Sequence, residues 1–252
     1  MGNPEISAFK DHFSGHAQAY ASARPGYPDE LFAWLASQVE GHELAWDAGC
    51  GNGQASRGLK KHFARVLATD ASPQQIANTG DIPGIDYRVA PAEDVPLDDA
   101  SCDLVTAAQA AHWFDLDRFH AEVRRVLKPG GVVALWCYGL NRIAGSIDPL
   151  VQEFYGRLEP DWPPERALIE RRYESIPFPY DELPAEDFEM TVRWRCEDYL
   201  AYLASWSAVQ RNRERTGTDP VAALAPELTD RWGETAREVR WPLHFRIGRR
   251  AG

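Results

Sequence analysis

Only four of the 252 residues are cysteine, and Cys50, Cys102, Cys137 and Cys196 are widely spaced, with no CxxC pair among them. Zinc ribbons and dithiol redox motifs need such pairs, and a chain of this length buries its own core without a disulfide scaffold. Cys102 and Cys137 stand in apolar runs and read as small buried hydrophobes. Basic residues are also short: 27 Lys and Arg face 38 Asp and Glu, a formal charge of −11. Beyond doublets such as Arg124-Arg125, Arg171-Arg172 and Arg249-Arg250 there is no basic run. Nucleic-acid binding draws much of its affinity from phosphate neutralisation, and an anionic membrane surface asks for the same, so neither is an expected partner. No stretch approaches the roughly 18 apolar residues of a membrane span. MGNPEISAFKDHFSGHAQAY holds no apolar signal core, and the expectation is a cytoplasmic protein. Low-complexity tracts and internal repeats are missing too.

What is present is an alternation of apolar runs and amphipathic stretches. Leu31, Phe32, Leu35 and Val39 recur at helical spacing after a Pro-Gly-Tyr-Pro punctuation. Strands are expected at 44–47, 65–70, 87–90, 102–107 and 132–137, with helices at 54–63, 72–79 and 116–127 between them. The 132–137 run is apolar throughout, as a central strand should be. This order predicts an α/β fold with a mostly parallel, doubly wound sheet. From about residue 143 the chain turns rich in Pro and aromatics. A helix is expected near 148–158, an alternating antiparallel strand at 188–194, helices over 198–215 and 220–231, and a last strand at 241–247.

The central motif is Asp47-Ala48-Gly49-Cys50-Gly51-Asn52-Gly53 at a strand-to-helix turn. Glycines there accept positive φ and let backbone approach a ligand at the carboxyl ends of parallel strands. The next strand ends in Asp70, 21 residues after Gly49, where an acid can accept both hydroxyls of a ribose. A dinucleotide fingerprint would place glycine at the position of Gln54, and no GK[ST] phosphate loop occurs. Asp47 beside the glycines suits a ligand bearing an ammonium group better than one bearing pyrophosphate. That balance favours S-adenosylmethionine.

With these residues the chain resembles the class I S-adenosylmethionine-dependent methyltransferases, within them the branch of ubiquinone/menaquinone-biosynthesis C-methyltransferases and trans-aconitate O-methyltransferases. The resemblance rests on FSGHAQAYASARPGYP (13–28), LAWDAGCGNG (44–53), VLATDAS (66–72), APAEDVP (90–96), CDLVTAAQAAHWF (102–114) and VLKPGGVVAL (126–135), with YLASWSAV (202–209) and WPLHFRIGR (241–249) in the tail. It implies a Rossmann-like seven-stranded sheet, an antiparallel last strand, and a helical lid inserted after strand five. It also implies that Asp47, Gly49 and Gly51 line the methionine end of the cofactor and Asp70 holds its ribose. Ala71, Ser72, Ala92 and Glu93 would border adenine, and Gln109 would lie near the sulfonium. Tyr20 and Arg24 would close over the ligand; a free α-carboxylate also calls for a cation such as Arg24 on its own account. Residues 1–40 are thus expected to cover the cofactor, 41–140 to bind it, and 141–252 to form the substrate lid and the last two strands, in one structural domain.

Methyl transfer requires in-line alignment and exclusion of water, with a base only where the acceptor must lose a proton. His112, in Gln109-Ala110-Ala111-His112-Trp113-Phe114, is the candidate catalytic residue, as base or as a group that orients the acceptor. Trp136, Tyr138, Tyr155, Trp162, Tyr173, Tyr180 and Trp206 are candidate walls of an acceptor pocket, and Arg142, Arg157 and Arg211 candidate partners of an acidic substrate. The expected reaction methylates a small molecule, on a carboxyl or hydroxyl group, and releases S-adenosylhomocysteine, with the protein a monomer or homodimer and no metal. Two alternatives stand beside it: a catalytically silent adenosine-ligand-binding regulator and an NAD-dependent oxidoreductase. Methylation of RNA or protein is disfavoured by the charge and by the absence of an Asn-Pro-Pro-Tyr-like motif at 109–112.

Overall fold

The computed structural model describes residues 25–143 and 145–251. Five strands, β1 (Leu44–Ala48), β2 (Arg65–Asp70), β3 (Ile85–Val89), β4 (Cys102–Ala108) and β5 (Leu127–Cys137), pair in parallel in the order β3-β2-β1-β4-β5. The short β6 (Asp181–Glu182) forms the far edge, and the antiparallel β9 (His244–Arg249) lies between it and β5, which completes seven strands. The expected mostly parallel, seven-stranded sheet with an antiparallel last strand is therefore what forms.

The sheet is covered on both faces because alternate side chains of each strand point opposite ways. Leu104, Val132 and Ala134 join one buried cluster, while their neighbours Val105, Val133 and Leu135 join the other. On the first face α1 (Asp29–Ser37) buries Leu31, Phe32 and Leu35. It packs against α2 (Gln54–Leu59), where a side chain at Gly58 would strike the Phe32 ring at 2.1 Å. On the second face α4 (Leu116–Val126) lays down Phe119, Val123 and Val126, an i, i+4, i+7 stripe capped by Asp115 Oδ1, which accepts from Arg118 N at 3.2 Å. Each such fully buried apolar side chain contributes roughly 1.5–3 kcal/mol. The short α3 (Pro73–Ala77) links β2 to β3 and has Ser72 as its N-cap, as expected.

After β5 come α5 (Ile147–Arg157), α6 (Arg166–Glu170), β7 (Glu189–Trp194), α7 (Cys196–Ala204), α8 (Ser207–Thr216), α9 (Pro220–Trp232) and β8 (Arg237–Pro242). Three expectations change here. The helix expected over 198–215 is two helices, because Trp206 is extended (φ −67°, ψ 136°) and Ser205 Oγ donates back to the Tyr202 carbonyl at 2.6 Å. The strand at 188–194 forms, but pairs with β8 in a separate two-stranded sheet. The last strand expected at 241–247 divides at Leu243, whose N–H donates to the Phe188 carbonyl while the chain passes from the small sheet to the large one. Leu127 also changes element: it opens β5 opposite Cys102 rather than ending α4. All four cysteines are free and buried, and burial pushes the Cys102 and Cys137 thiols up to about 12. No helix among the described residues is long and apolar enough to cross a membrane.

Candidate active site

The parallel strands deliver their carboxyl ends to one edge of the sheet, and most of the expected site residues follow directly from those ends. After β1, Gly49, Gly51 and Gly53 all take positive φ, between +55° and +82°. At Gly49 (+66°) a side chain would also collide with Ala110 Cβ at 2.6 Å and with the Phe114 ring at 3.0 Å. This glycine thus lets the β1 loop lie directly against the loop after β4. At Gly51 (+55°) a methyl group would meet only Gln75 Oε1, at 3.9 Å. That is an open cradle which any larger residue would fill.

Two acids flank this cradle. Asp47 is fully buried; its Oδ2 accepts from Ser56 Oγ at 2.6 Å and its Oδ1 from Thr106 Oγ1 at 3.1 Å. Burial pushes its carboxyl up to about 6, against the pull of those two hydroxyls and with a further push from the charge of Asp70. Asp70, ending β2, accepts from Gly51 N at 2.9 Å through Oδ2 and from Ser72 N at 2.8 Å through Oδ1. It therefore pins the cradle to the start of α3. Ala71 is half-buried and Ser72 buried at that same turn. Ala92 is buried in the loop after β3, and Glu93 Oε1 accepts from Asp115 N at 2.8 Å, tying that loop to the cap of α4. Tyr20 and Arg24 lie outside the described residues.

Gln109 adopts φ +56°, a left-handed conformation unusual for a residue with a side chain. Its amide makes a two-way clamp on the loop after β5: Nε2 donates to the Tyr138 carbonyl at 3.1 Å and Oε1 accepts from Tyr138 N at 2.8 Å. His112 sits in a short 3-10 turn (Ala111–Trp113), 7% exposed, with Nδ1 2.7 Å from Tyr173 Oη. Burial, then the nearby Arg166 charge, hold the imidazole down at about 3, so the ring is neutral at physiological pH. The phenol is fully buried, and burial raises it well above its ordinary range, so it keeps its hydrogen. A buried hydroxyl donates where an acceptor is in reach, and Nδ1 is that acceptor among the described residues. The hydrogen of the neutral ring is thereby assigned to Nε2.

Gln109, His112, Tyr138, Trp162, Arg166 and Trp206 line one cleft. Of the aromatic residues singled out in the sequence, Tyr138, Trp162 and Trp206 are walls of this cleft, with the Trp162 and Trp206 rings 5.6 Å apart. Tyr173 stands behind His112, Trp136 is core between Tyr27 and Phe245, and Tyr180 packs on His120. Arg157 pairs with Glu153 at 2.6 Å and does not line the cleft, nor does Arg211. The cation in the cleft wall is Arg166, which the sequence reading did not single out. Its guanidinium lies 4.7 Å from the Trp162 ring centroid and 5.5 Å from that of Tyr155, and its Nε donates to Tyr155 Oη at 2.9 Å. The Trp162-to-Arg166 spacing of four residues is the only local signal of that stack. No cluster of three potential metal ligands occurs among the described residues.

A family model described as a methyltransferase domain matches residues 46–135. A protein of Dictyostelium discoideum that bears a provisional methyltransferase name is 34% identical over 209 residues, 81% of this chain and 80% of that one. An uncharacterised methyltransferase of Mycobacterium bovis is 37% identical over 169 residues, 63% of this chain and 69% of its own. Among solved structures, a provisionally assigned type II methyltransferase from Anaeromyxobacter dehalogenans superposes with a TM-score of 0.85 at 48% identity, covering 90% of this chain and 98% of that chain.

Proposed function

This chain belongs to the class I S-adenosylmethionine-dependent methyltransferases, and on that basis we propose that it methylates a small molecule on a carboxyl or hydroxyl oxygen. The observation that carries the reading is the contact of Gly49 with Ala110, which sets the glycine cradle against the loop that brings His112 into an aromatic cleft. The cradle fits the cofactor. It is open above Gly51, and the two acids beside it favour an ammonium group and oppose a pyrophosphate. Asp47, Gly49 and Gly51 would hold the methionine end, Asp70 the ribose, Ala71, Ser72, Ala92 and Glu93 the adenine, with Gln109 near the sulfur and Tyr20 and Arg24 closing over the carboxylate. When bound, S-adenosylmethionine supplies a methyl group already activated by the sulfonium.

The protein's share is alignment and exclusion of water. Trp162, Trp206 and Tyr138 give the acceptor a flat apolar seat. His112, with Nδ1 committed to Tyr173, offers Nε2–H as a donor that orients the acceptor oxygen, which suits an acceptor already ionised and in need of no base. The division into a covering segment 1–40, a cofactor-binding core 41–140 and a lid 141–252 belongs to the same proposal. So do a place near the ubiquinone/menaquinone and trans-aconitate branch, supported by residues 202–209 and 241–249, and a cytoplasmic monomer or homodimer without nucleic-acid or membrane partners.

Calorimetric titration with S-adenosylmethionine, S-adenosylhomocysteine and NAD tests the reading. Micromolar binding of both sulfur nucleosides and none of NAD is expected; binding of NAD alone would overturn it.

A further inference from the structure

Next to the aromatic cleft lies a second cavity, and the two share Gly139, Leu140, Arg166 and Ile169 as a common wall. Three arginines, Arg142, Arg166 and Arg172, line it together with His244, and Glu170 is the acid of the lining. Glu170 is engaged elsewhere, accepting from Tyr155 Oη at 2.8 Å. Among the described residues no ion pair joins any of the three arginines to a carboxylate. In a protein of formal charge −11 this is a local inversion of sign, and cations in a concave wall focus a positive field into it. His244 lies in that field: burial first, then Arg172 and Arg142, hold its imidazole below the ordinary histidine range, against an opposing pull from Glu174.

The backbone shows how Arg172 reaches this wall. Helix α6 ends with Arg172 N–H donating to the Ile169 carbonyl at 2.8 Å and Tyr173 N–H to the Leu168 carbonyl at 2.9 Å. This bond pair places Arg172 at the left-handed position that follows a helix end, where glycine is the usual residue. Arg172 holds φ +55° there, and Tyr173 follows at +62°. One turn thus sends Tyr173 behind His112 and Arg172 to the second cavity.

We propose that the two cavities are one acceptor site: a planar or apolar reacting end packs against the Trp162 and Trp206 rings, and an anionic group of the same molecule, carboxylate or phosphate ester, is held by Arg142, Arg166 and Arg172. That the bound molecule is the methyl acceptor rests on the methyltransferase reading; the anion site itself rests on the arginines.

The test is calorimetry on the full chain saturated with S-adenosylhomocysteine, using phenyl phosphate, terephthalate and uncharged benzyl alcohol as probes. Wild type is expected to bind at least one of the charged probes roughly tenfold or more tightly than benzyl alcohol, as charge-assisted bonds require. Which charged probe binds tighter tells phosphate ester from carboxylate. The Arg142→Gln/Arg172→Gln variant should lose that preference while keeping its affinity for S-adenosylhomocysteine and benzyl alcohol. Arg172→Gly, which relieves the left-handed turn and so keeps folding out of question, should lose part of it. Equal affinity for charged and neutral probes in wild type, absence of binding by every probe at millimolar concentration, or an unchanged preference in the double variant each overturns the proposal. Failure to bind S-adenosylhomocysteine would instead strike the methyltransferase reading, and the preference for anions would still be measurable on the protein alone.

Discussion

At the scale of single residues, Asp47 sets its proposed role in cofactor binding against stability. Its carboxyl, pushed by burial from 3.8 to about 6, keeps its proton to higher pH in the folded chain than in the unfolded one. Ionising it therefore costs stability: the cost is absent below about pH 4 and fully present above about pH 6, on the order of 3 kcal/mol. Asp47→Asn is expected to melt at a higher temperature than wild type near pH 8, with the gain vanishing near pH 4. Its affinity for S-adenosylmethionine should fall by about tenfold or more, since the ammonium group loses a carboxylate. Melting curves at the two pH values with a titration at each would check this. A variant less stable than wild type at both would show that Asp47 is first of all the residue that holds Ser56 and Thr106 in place.

The element that matters most for the proposed chemistry is the turn closing α6. Two adjacent side-chain-bearing residues in left-handed backbone cost on the order of 1–3 kcal/mol each, and Tyr173 returns part of that through its bond to His112 and its burial among Ile169 and Ile176. Tyr173→Phe should leave Nδ1 of His112 without its donor and lower stability by about 1–3 kcal/mol. It frees the ring to exchange tautomers, so turnover of a methyl acceptor should fall while affinity for S-adenosylhomocysteine stays as in wild type. Urea unfolding, a calorimetric titration and initial rates separate the three effects. Unchanged turnover in the folded variant would remove the His112 tautomer from the mechanism.

For the whole molecule, ligand bound across four strand ends couples to global unfolding. A concentration of S-adenosylhomocysteine a hundredfold above its Kd adds about 2.7 kcal/mol to folding, which for a chain of this size corresponds to a rise in Tm of roughly 5–10 °C. A thermal shift with NAD of similar size and none with S-adenosylhomocysteine would contradict the site. The sequence by itself determined the parallel core, because strands such as Val132–Cys137, buried on both faces, are written as unbroken apolar runs. It also determined the glycine cradle, because positive φ after a strand is a demand of local backbone geometry, and it marked Asp70 by its place at the end of the next strand, where it accepts from Gly51 N. The tail was legible only in part: the strand at 188–194 and the helices near 148–158 and 220–231 could be read from period, while the short α6 and β6 and the joins could not. Whether 198–215 bends at Trp206 or Leu127 opens a strand depends on what each packs against, and period alone carries no record of that. Only the tertiary structure decided the proposed acceptor site. Gln109 and His112 follow β4, Tyr138 follows β5, Arg166 opens α6 and Trp206 interrupts α7 and α8. The forces that bring these distant segments to one cleft, apolar burial and a shared sheet edge, act between residues whose spacing along the chain says nothing of their distance in space.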